Sequence, residues 1–245
     1  KFSNEQINQA IQIHLKGNIV EAEKYYEELI NQGCKNHTVF SNYGIILIGK
    51  GRLKDAEKYL RQAVKFNPDD SLAHCNLGGL LRDVGKLKEA EIYTRKAISL
   101  DPNHATSHSN LGNILREFDN LEEAEIYTRK AIQLNPNYVE AHTTLGNILI
   151  NIGNLKEAEI YTRKAIELNP NYAIAHNNLG RILSDIGKLE DAEISTRKAI
   201  ELNPNFVDAY SNLGIILKDL GKLKDAEIST RKAIELNPNY ANAHS

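Results

Sequence analysis

The chain has 245 residues, 41% hydrophobic and 25% charged, with 30 basic against 32 acidic side chains. That near balance gives no general electrostatic drive towards nucleic acid or anionic membrane, and the longest aliphatic run, Ile45 to Ile48, is far short of the ~20 apolar residues a membrane span needs. Only Cys34 and Cys75 are present, at unrelated positions, which argues against a disulfide framework and fits a reducing, cytoplasmic setting.

No secretory leader pattern opens the chain, so the sequon Asn36-His-Thr38 is read as chance. The sequence lacks Met and begins at Lys1, the pattern expected of an excerpt from a longer protein.

All six prolines, Pro68, Pro102, Pro136, Pro170, Pro204 and Pro238, stand 34 residues apart. Self-similarity at a fixed period of this size is the signature of a repeat array. With each proline at repeat position 32, the chain reads as one array over 1–245. Its repeats are 3–36, 37–70, 71–104, 105–138, 139–172, 173–206 and 207–240, and 241–245 start a further one. Position 8 is Gly44, Gly78, Gly112, Gly146, Gly180 and Gly214, with Ala10 in the first repeat; position 20 is Ala throughout.

The first repeat departs from the rest. Gln9 stands where later repeats have Leu, Cys34 replaces Pro, and Gln6 and Gln12 add polarity, as suits a capping unit that meets water on one face. In 139–172, Ala141, Leu145, Ile148, Leu149 and Ile152 form one helical stripe. Gly153-Asn154 ends that helix, since Gly takes the left-handed conformation easily. Leu155, Ala158, Thr162, Ala165 and Ile166 make the facing stripe of a second helix. Asn169-Pro170 stops it, and Asn171 is the expected cap of the next helix. Gly146 and Ala158 lack bulk and let the pair approach closely. The last repeat continues the interior pattern through Ile228 and Ile234 with no polar helix after it, so weak self-association through that end is expected.

A 34-residue period with Leu145, Gly146, Ala158, Ala165 and Pro170 in these places resembles the tetratricopeptide repeat, and the resemblance covers 3–240. It implies an all-α, right-handed solenoid of about seven helix-turn-helix units whose first helices line a concave groove. Three positions depart from the family pattern. His74, His108, His142, His176 and His244 stand where Trp is frequent, position 11 is Leu or Ile instead of aromatic, and position 24 is mostly Thr. Phe40 goes with Leu60 while the histidines go with Thr94, Thr128, Thr162 and Thr196, which predicts a His–Thr hydrogen bond between paired helices.

The histidine column could be read as a metal ladder, but ligands must converge on one ion at about 2.0–2.1 Å whereas neighbouring helix axes lie about 8–10 Å apart. Structural histidines are the expectation, with no metal and no cofactor. The pairs Arg95-Lys96, Arg129-Lys130, Arg163-Lys164, Arg197-Lys198 and Arg231-Lys232 each follow a Glu four residues before the Arg, the favourable order for helical ion pairs. They read as a solvated face and not as a nucleic-acid stripe. No phosphate loop, nucleophile elbow or catalytic triad is recognisable, so no catalytic residue is assigned.

Position 6 carries Asn8, Asn42, Asn76, Asn110, Asn178 and Asn212, interrupted by Thr144, on a face away from the apolar stripe. An amide offers donor and acceptor, so a row of them can hold a peptide backbone whatever its sequence. The arrangement resembles the asparagine ladder in the repeat arm of O-linked N-acetylglucosamine transferase. Position 5 is small beside it, and position 9 varies through Ile45, Gly79, Asn113, Asn147, Arg181 and Ile215. The expected groove residues are Asn42, Asn76, Asn110, Asn178 and Asn212 with Asn113, Asn147 and Arg181. The sequence therefore reads as a non-catalytic module that binds an extended segment of a partner protein. A substrate-recognition arm of a larger glycosyltransferase or sulfotransferase is the alternative, and a purely structural spacer is a third.

Overall fold

The computed structural model describes residues 3–238, and the chain divides into two compact units, Lys1–Asp119 and Asn120–Ser245. The described residues form fourteen α-helices and no strand. The start of a further repeat at 241–245, including His244, lies outside them.

The Lys1–Asp119 unit contains α1 (Asn4–Leu15), α2 (Ile19–Asn31), α3 (His37–Gly49), α4 (Leu53–Phe66), α5 (Ser71–Asp83), α6 (Leu87–Leu100) and α7 (Ala105–Glu117). The Asn120–Ser245 unit contains α8 (Leu121–Leu134), α9 (Val139–Ile152), α10 (Leu155–Leu168), α11 (Ala173–Asp185), α12 (Leu189–Leu202), α13 (Val207–Asp219) and α14 (Leu223–Leu236). Within each unit an odd-numbered helix pairs with the even one after it, as α5 with α6 and α9 with α10. It also packs on the next odd-numbered helix, as α3 on α5 and α11 on α13. This is an all-α helical-repeat solenoid.

Two different turns punctuate each hairpin. After the first helix, Gly153 adopts φ 88° and the Asn154 amide donates to the Leu149 carbonyl at 2.8 Å, a left-handed cap that satisfies otherwise orphaned carbonyls. The corresponding place after α7 holds Asp119 at φ 61°. After the second helix, the Asn169 side chain accepts from the Asn171 amide at 3.1 Å, closing a turn around Pro170. Asn171 is therefore not the cap expected from the sequence. The N-cap of α11 is Tyr172, which makes no side-chain cap bond because a phenol carries no short acceptor that can turn back to the first-turn amides.

The core stripes are as expected, with Ala141, Leu145, Ile148, Leu149, Ala158, Thr162 and Ala165 buried. Ile152, in the last turn of α9, is instead exposed. A Cβ on Gly146 would lie 2.6 Å from Thr162 Oγ1, and one on Gly180 would lie 2.1 Å from Thr196 Oγ1. The glycines thus let these hairpins close on a threonine, and Gly44 lets its hairpin close on Leu60. In the first repeat, Ser3 and Gln6 form a reciprocal capping box on α1, and Gln6, Gln9 and Gln12 are exposed.

Two further expectations fail. The predicted His–Thr bond does not form: His74 and His142 donate from Nε2 to the carbonyls of Pro68 and Pro136 at 2.8 Å. Thr94, Thr162 and Thr196 Oγ1 have no partner. Position 24 packs against the position-8 glycine, Leu60 opposite Gly44 and Thr162 opposite Gly146, whereas the histidine ties its helix to the preceding turn. Ile228 is also not interior. It is 66% exposed, and Ile92, Ile126, Ile160 and Ile194 are exposed to the same degree, because position 22 points outward in every one of these repeats.

Candidate functional site

The asparagine row is set by the first helices; Asn42, Asn76, Asn110 and Asn212 are half-buried, Asn178 is 7% exposed, and Asn8 in the first repeat is exposed. In the Lys1–Asp119 unit, Asn76 Nδ2 donates to Ser41 Oγ at 3.1 Å and Asn110 Nδ2 to Cys75 Sγ at 3.5 Å. The acceptor is position 5 of the preceding repeat each time. Asn42 has Ile7 in that place, which cannot accept, and donates to the Tyr26 hydroxyl at 3.0 Å instead. Burial raises the Tyr26 pKa, and the bond from Asn42 works against that rise. Burial likewise pushes the Cys75 thiol up, partly offset by its bonds to Ser107 and Asn110.

In the Asn120–Ser245 unit, Asn212 Nδ2 donates to Asn177 Oδ1 at 2.9 Å. Asn178 breaks the pattern. The hydroxyl of Thr143, its position-5 neighbour, is turned to the Val139 carbonyl at 2.9 Å, and Asn178 Nδ2 is buried without a hydrogen-bond partner. Arg181, one helical turn on, also has a buried Nε without a partner. Such groups are costly, about 1–3 kcal/mol each.

The small residues at position 5 therefore do more than leave room, since they anchor the amides. Each anchored amide of Asn42, Asn76, Asn110 and Asn212 spends a donor within the protein, while its Oδ1 makes no hydrogen bond among the described residues. The surface is thus richer in acceptors than the sequence suggested. Of the flanking residues, Asn113 Nδ2 donates to the Ser109 carbonyl at 3.3 Å, Asn147 is half-buried, and Arg181 is half-buried beside Asn178.

The basic pairs lie on the second helices as ion pairs. Arg95, Arg129, Arg163, Arg197 and Arg231 each meet the Glu four residues earlier at 2.7–2.9 Å. Some links also join consecutive repeats: Arg129 reaches Glu157 at 2.8 Å, and Lys222 reaches Glu193 at 2.6 Å. Glu193 is held below the usual carboxylate range, first by the Lys222 ammonium and then by Arg197. The histidine Nε2 atoms are engaged by proline carbonyls, at 2.9 Å for His176 and Pro170. No group of three or more His, Cys, Asp or Glu side chains that could hold a metal occurs among the described residues, and none of the described helices is long and apolar enough to cross a membrane.

A chain of helical hairpins with an asparagine at position 6 of every first helix but α9, which has Thr144, is an α-helical repeat protein. Matches to the tetratricopeptide repeat at 43–105, 105–138, 139–172, 161–194 and 207–240 place it further, and the chain belongs to the tetratricopeptide repeat family. Among curated proteins, none matches it. Solved structures similar to it include the Cut9 and Hcn1 hetero-tetramer of APC/C, at TM-score 0.87 and 15% identity. That match covers 96% of this chain and 46% of the other, so this chain spans less than half the length of that relative. YrrB, described as a TPR protein with an unusual peptide-binding site, matches at TM-score 0.54 and 27% identity over 75% of this chain and 95% of its own. MamA matches at TM-score 0.55 and 26% identity, over 68% and 97%.

Proposed function

We propose that this chain is a non-catalytic protein-interaction module that grips the backbone of an extended partner segment with the asparagines of its first helices. The observation that carries this reading is the anchored amide. Asn42, Asn76, Asn110 and Asn212 are each fixed through Nδ2 and present an unused Oδ1, one per repeat. Fixed acceptors suit the N–H groups of an extended peptide, and pre-ordering removes part of the entropy that binding would otherwise cost. Asn178, buried with an unmet donor, gains a partner if its amide turns about the Cβ–Cγ bond to meet a peptide carbonyl. The peptide-binding site of YrrB, at 27% identity, points the same way.

The test is a peptide selected from a display library against the full chain, with its affinity measured by calorimetry. Asn76→Ala and Asn110→Ala together, or Asn178→Ala and Asn212→Ala together, should each weaken binding about tenfold or more while the protein stays folded. Unchanged affinity in both folded double variants overturns the reading. We also expect weak self-association through the outer flank of α14, where Leu223 is exposed. A strict monomer by light scattering at millimolar concentration contradicts that.

A further inference from the structure

Position 23 reads Tyr59, Tyr93, Tyr127 and Tyr161, and then changes to Ser195 and Ser229. In the repeat 139–172 the Tyr161 ring has a complete seat. His142 lies beside it with centroids 5.8 Å apart, and the Arg129 guanidinium stands 5.5 Å over the ring. Arg129 Nη1 donates to the phenol oxygen at 2.9 Å. The ring packs on the cluster built from Leu145, with Ile132 alongside. The Lys1–Asp119 unit repeats the seat, with Tyr93 beside His74 at 5.7 Å and Arg61 reaching the phenol at 3.4 Å.

One repeat further on, the same residues without the ring line a cavity of about 510 Å³. Its walls are Arg163, Ile166, His176 and Leu179, with Ser195 where the tyrosine would stand. In the next repeat Arg197, Ile200, Tyr210 and Leu213 surround Ser229 in a cavity of about 680 Å³. The acidic partner changes as well. Glu157, which accepts from Arg129, is followed by the shorter Asp191 and Asp225 at the same repeat position. Arg163 and Arg197 are left with the carboxylates of their own helices, Glu159 and Glu193.

We propose that these two cavities each take a tyrosine side chain of a partner protein segment, replacing the ring this chain supplies elsewhere. Both volumes lie in the usual range of ligand pockets, roughly 300–1,000 Å³, large enough for a ring and its flanking backbone. The donors match. Arg163 and Arg197 line the cavities as Arg129 lines the Tyr161 seat. Each is paired with one carboxylate of its own helix, Glu159 and Glu193, and keeps guanidinium N–H groups for a phenol oxygen and a flat face for a ring. Lys198, Arg231 and Lys232 are likewise paired, with Glu201, Glu227 and Glu235, so a Lys, Arg or phosphate would have to break an existing ion pair to bind. The exposed side chains of Ile194 and Ile228 border the cavities and extend their apolar walls. None of the row asparagines lines either cavity, so the site stands apart from the backbone grip.

The test uses the full chain, methyl NMR and p-cresol as the tyrosine side-chain probe. Saturable shifts are expected at Leu179, Ile194, Leu213 and Ile228, with toluene and phenyl phosphate binding severalfold more weakly. In a Ser195→Tyr, Ser229→Tyr variant those shifts should vanish while the melting temperature rises. A second variant, Arg163→Gln with Arg197→Gln, should cut the preference for p-cresol over toluene severalfold and leave toluene binding unchanged. Absent shifts in the native chain, shifts that persist in the double tyrosine variant, a fall in its melting temperature, or equal or tighter binding of toluene or phenyl phosphate would overturn the proposal. None of these variants touches the asparagine row, so either proposal can fail alone.

Discussion

Repeats 139–172 and 173–206 follow one another in the same compact unit and share the residues that make a hairpin, yet they are finished differently. The first is closed by Tyr161 and by Arg129, which bonds across the repeats to Glu157 and to the phenol. The second has Ser195 and Asp191 in those places and a cavity beside them. On the first helices, Thr144 of one repeat is replaced by Asn178 in the next, which has a buried donor without a partner. Residues that define the hairpin are thus constant, and the differences fall at positions 6, 9, 19 and 23. On the proposed reading, the repeat that lacks these internal contacts is the one left open to external ones.

The largest expected difference comes from converting one repeat into the other. Tyr161→Ser should cost roughly 2–3 kcal/mol in chemical denaturation, below the roughly 3–5 kcal/mol of a fully buried ring because Tyr161 is half-buried, and it empties a seat that Arg129 and His142 also close. If the loss is below about 1 kcal/mol, the ring is not the closing element of that repeat. Next, Gly180→Ala should destabilise by roughly 1–3 kcal/mol through overpacking. Gly146→Ala should cost less, since the added Cβ would stand 2.1 Å from Thr196 Oγ1 in one case and 2.6 Å from Thr162 Oγ1 in the other. The reverse order in thermal melts would break the comparison.

Asn178→Thr, which copies the neighbouring repeat, should stabilise the free protein by about 1 kcal/mol by removing an unmet donor while weakening peptide binding. A variant that loses stability and keeps its affinity would mean that Asn178 is structural. The smallest effect is electrostatic. Lys222 lowers the Glu193 pKa in one repeat, whereas Glu159 has Arg163 alone. A carboxyl with a lowered folded pKa adds stability above its unfolded pKa and loses it as pH falls through the folded value. Lys222→Ala should therefore narrow the gap between melting temperatures at pH 7 and pH 3, and an unchanged gap would show that the pair contributes nothing.

The fold was legible because its determinants are local and periodic. Pro170, Gly153, Gly146 and Ala158 announce turns and close approach by chemistry that needs no neighbour. What a side chain touches across repeats was not legible in the same way. The columns His142 and Thr162 change together, yet the histidine bonds to the Pro136 carbonyl and the threonine fills the space beside Gly146. Two residues can answer to one helix pair without touching each other. The asparagine row was visible as a column, but its internal anchoring depends on position 5 of the preceding repeat, a relation only packing reveals. The change from tyrosine to serine at Ser195 and Ser229 was readable as letters. Its meaning required knowing that position 23 faces a cavity.

On the proposed reading, fixed amide oxygens recognise a peptide backbone. The most direct measurement replaces alternate amides of a selected peptide with esters, which removes N–H donors and keeps every side chain, and compares affinities for the native chain. A loss of about tenfold or more is expected for the ester peptide, with little change when its side chains are shuffled. Equal affinity for amide and ester peptides, with loss on shuffling, would contradict it.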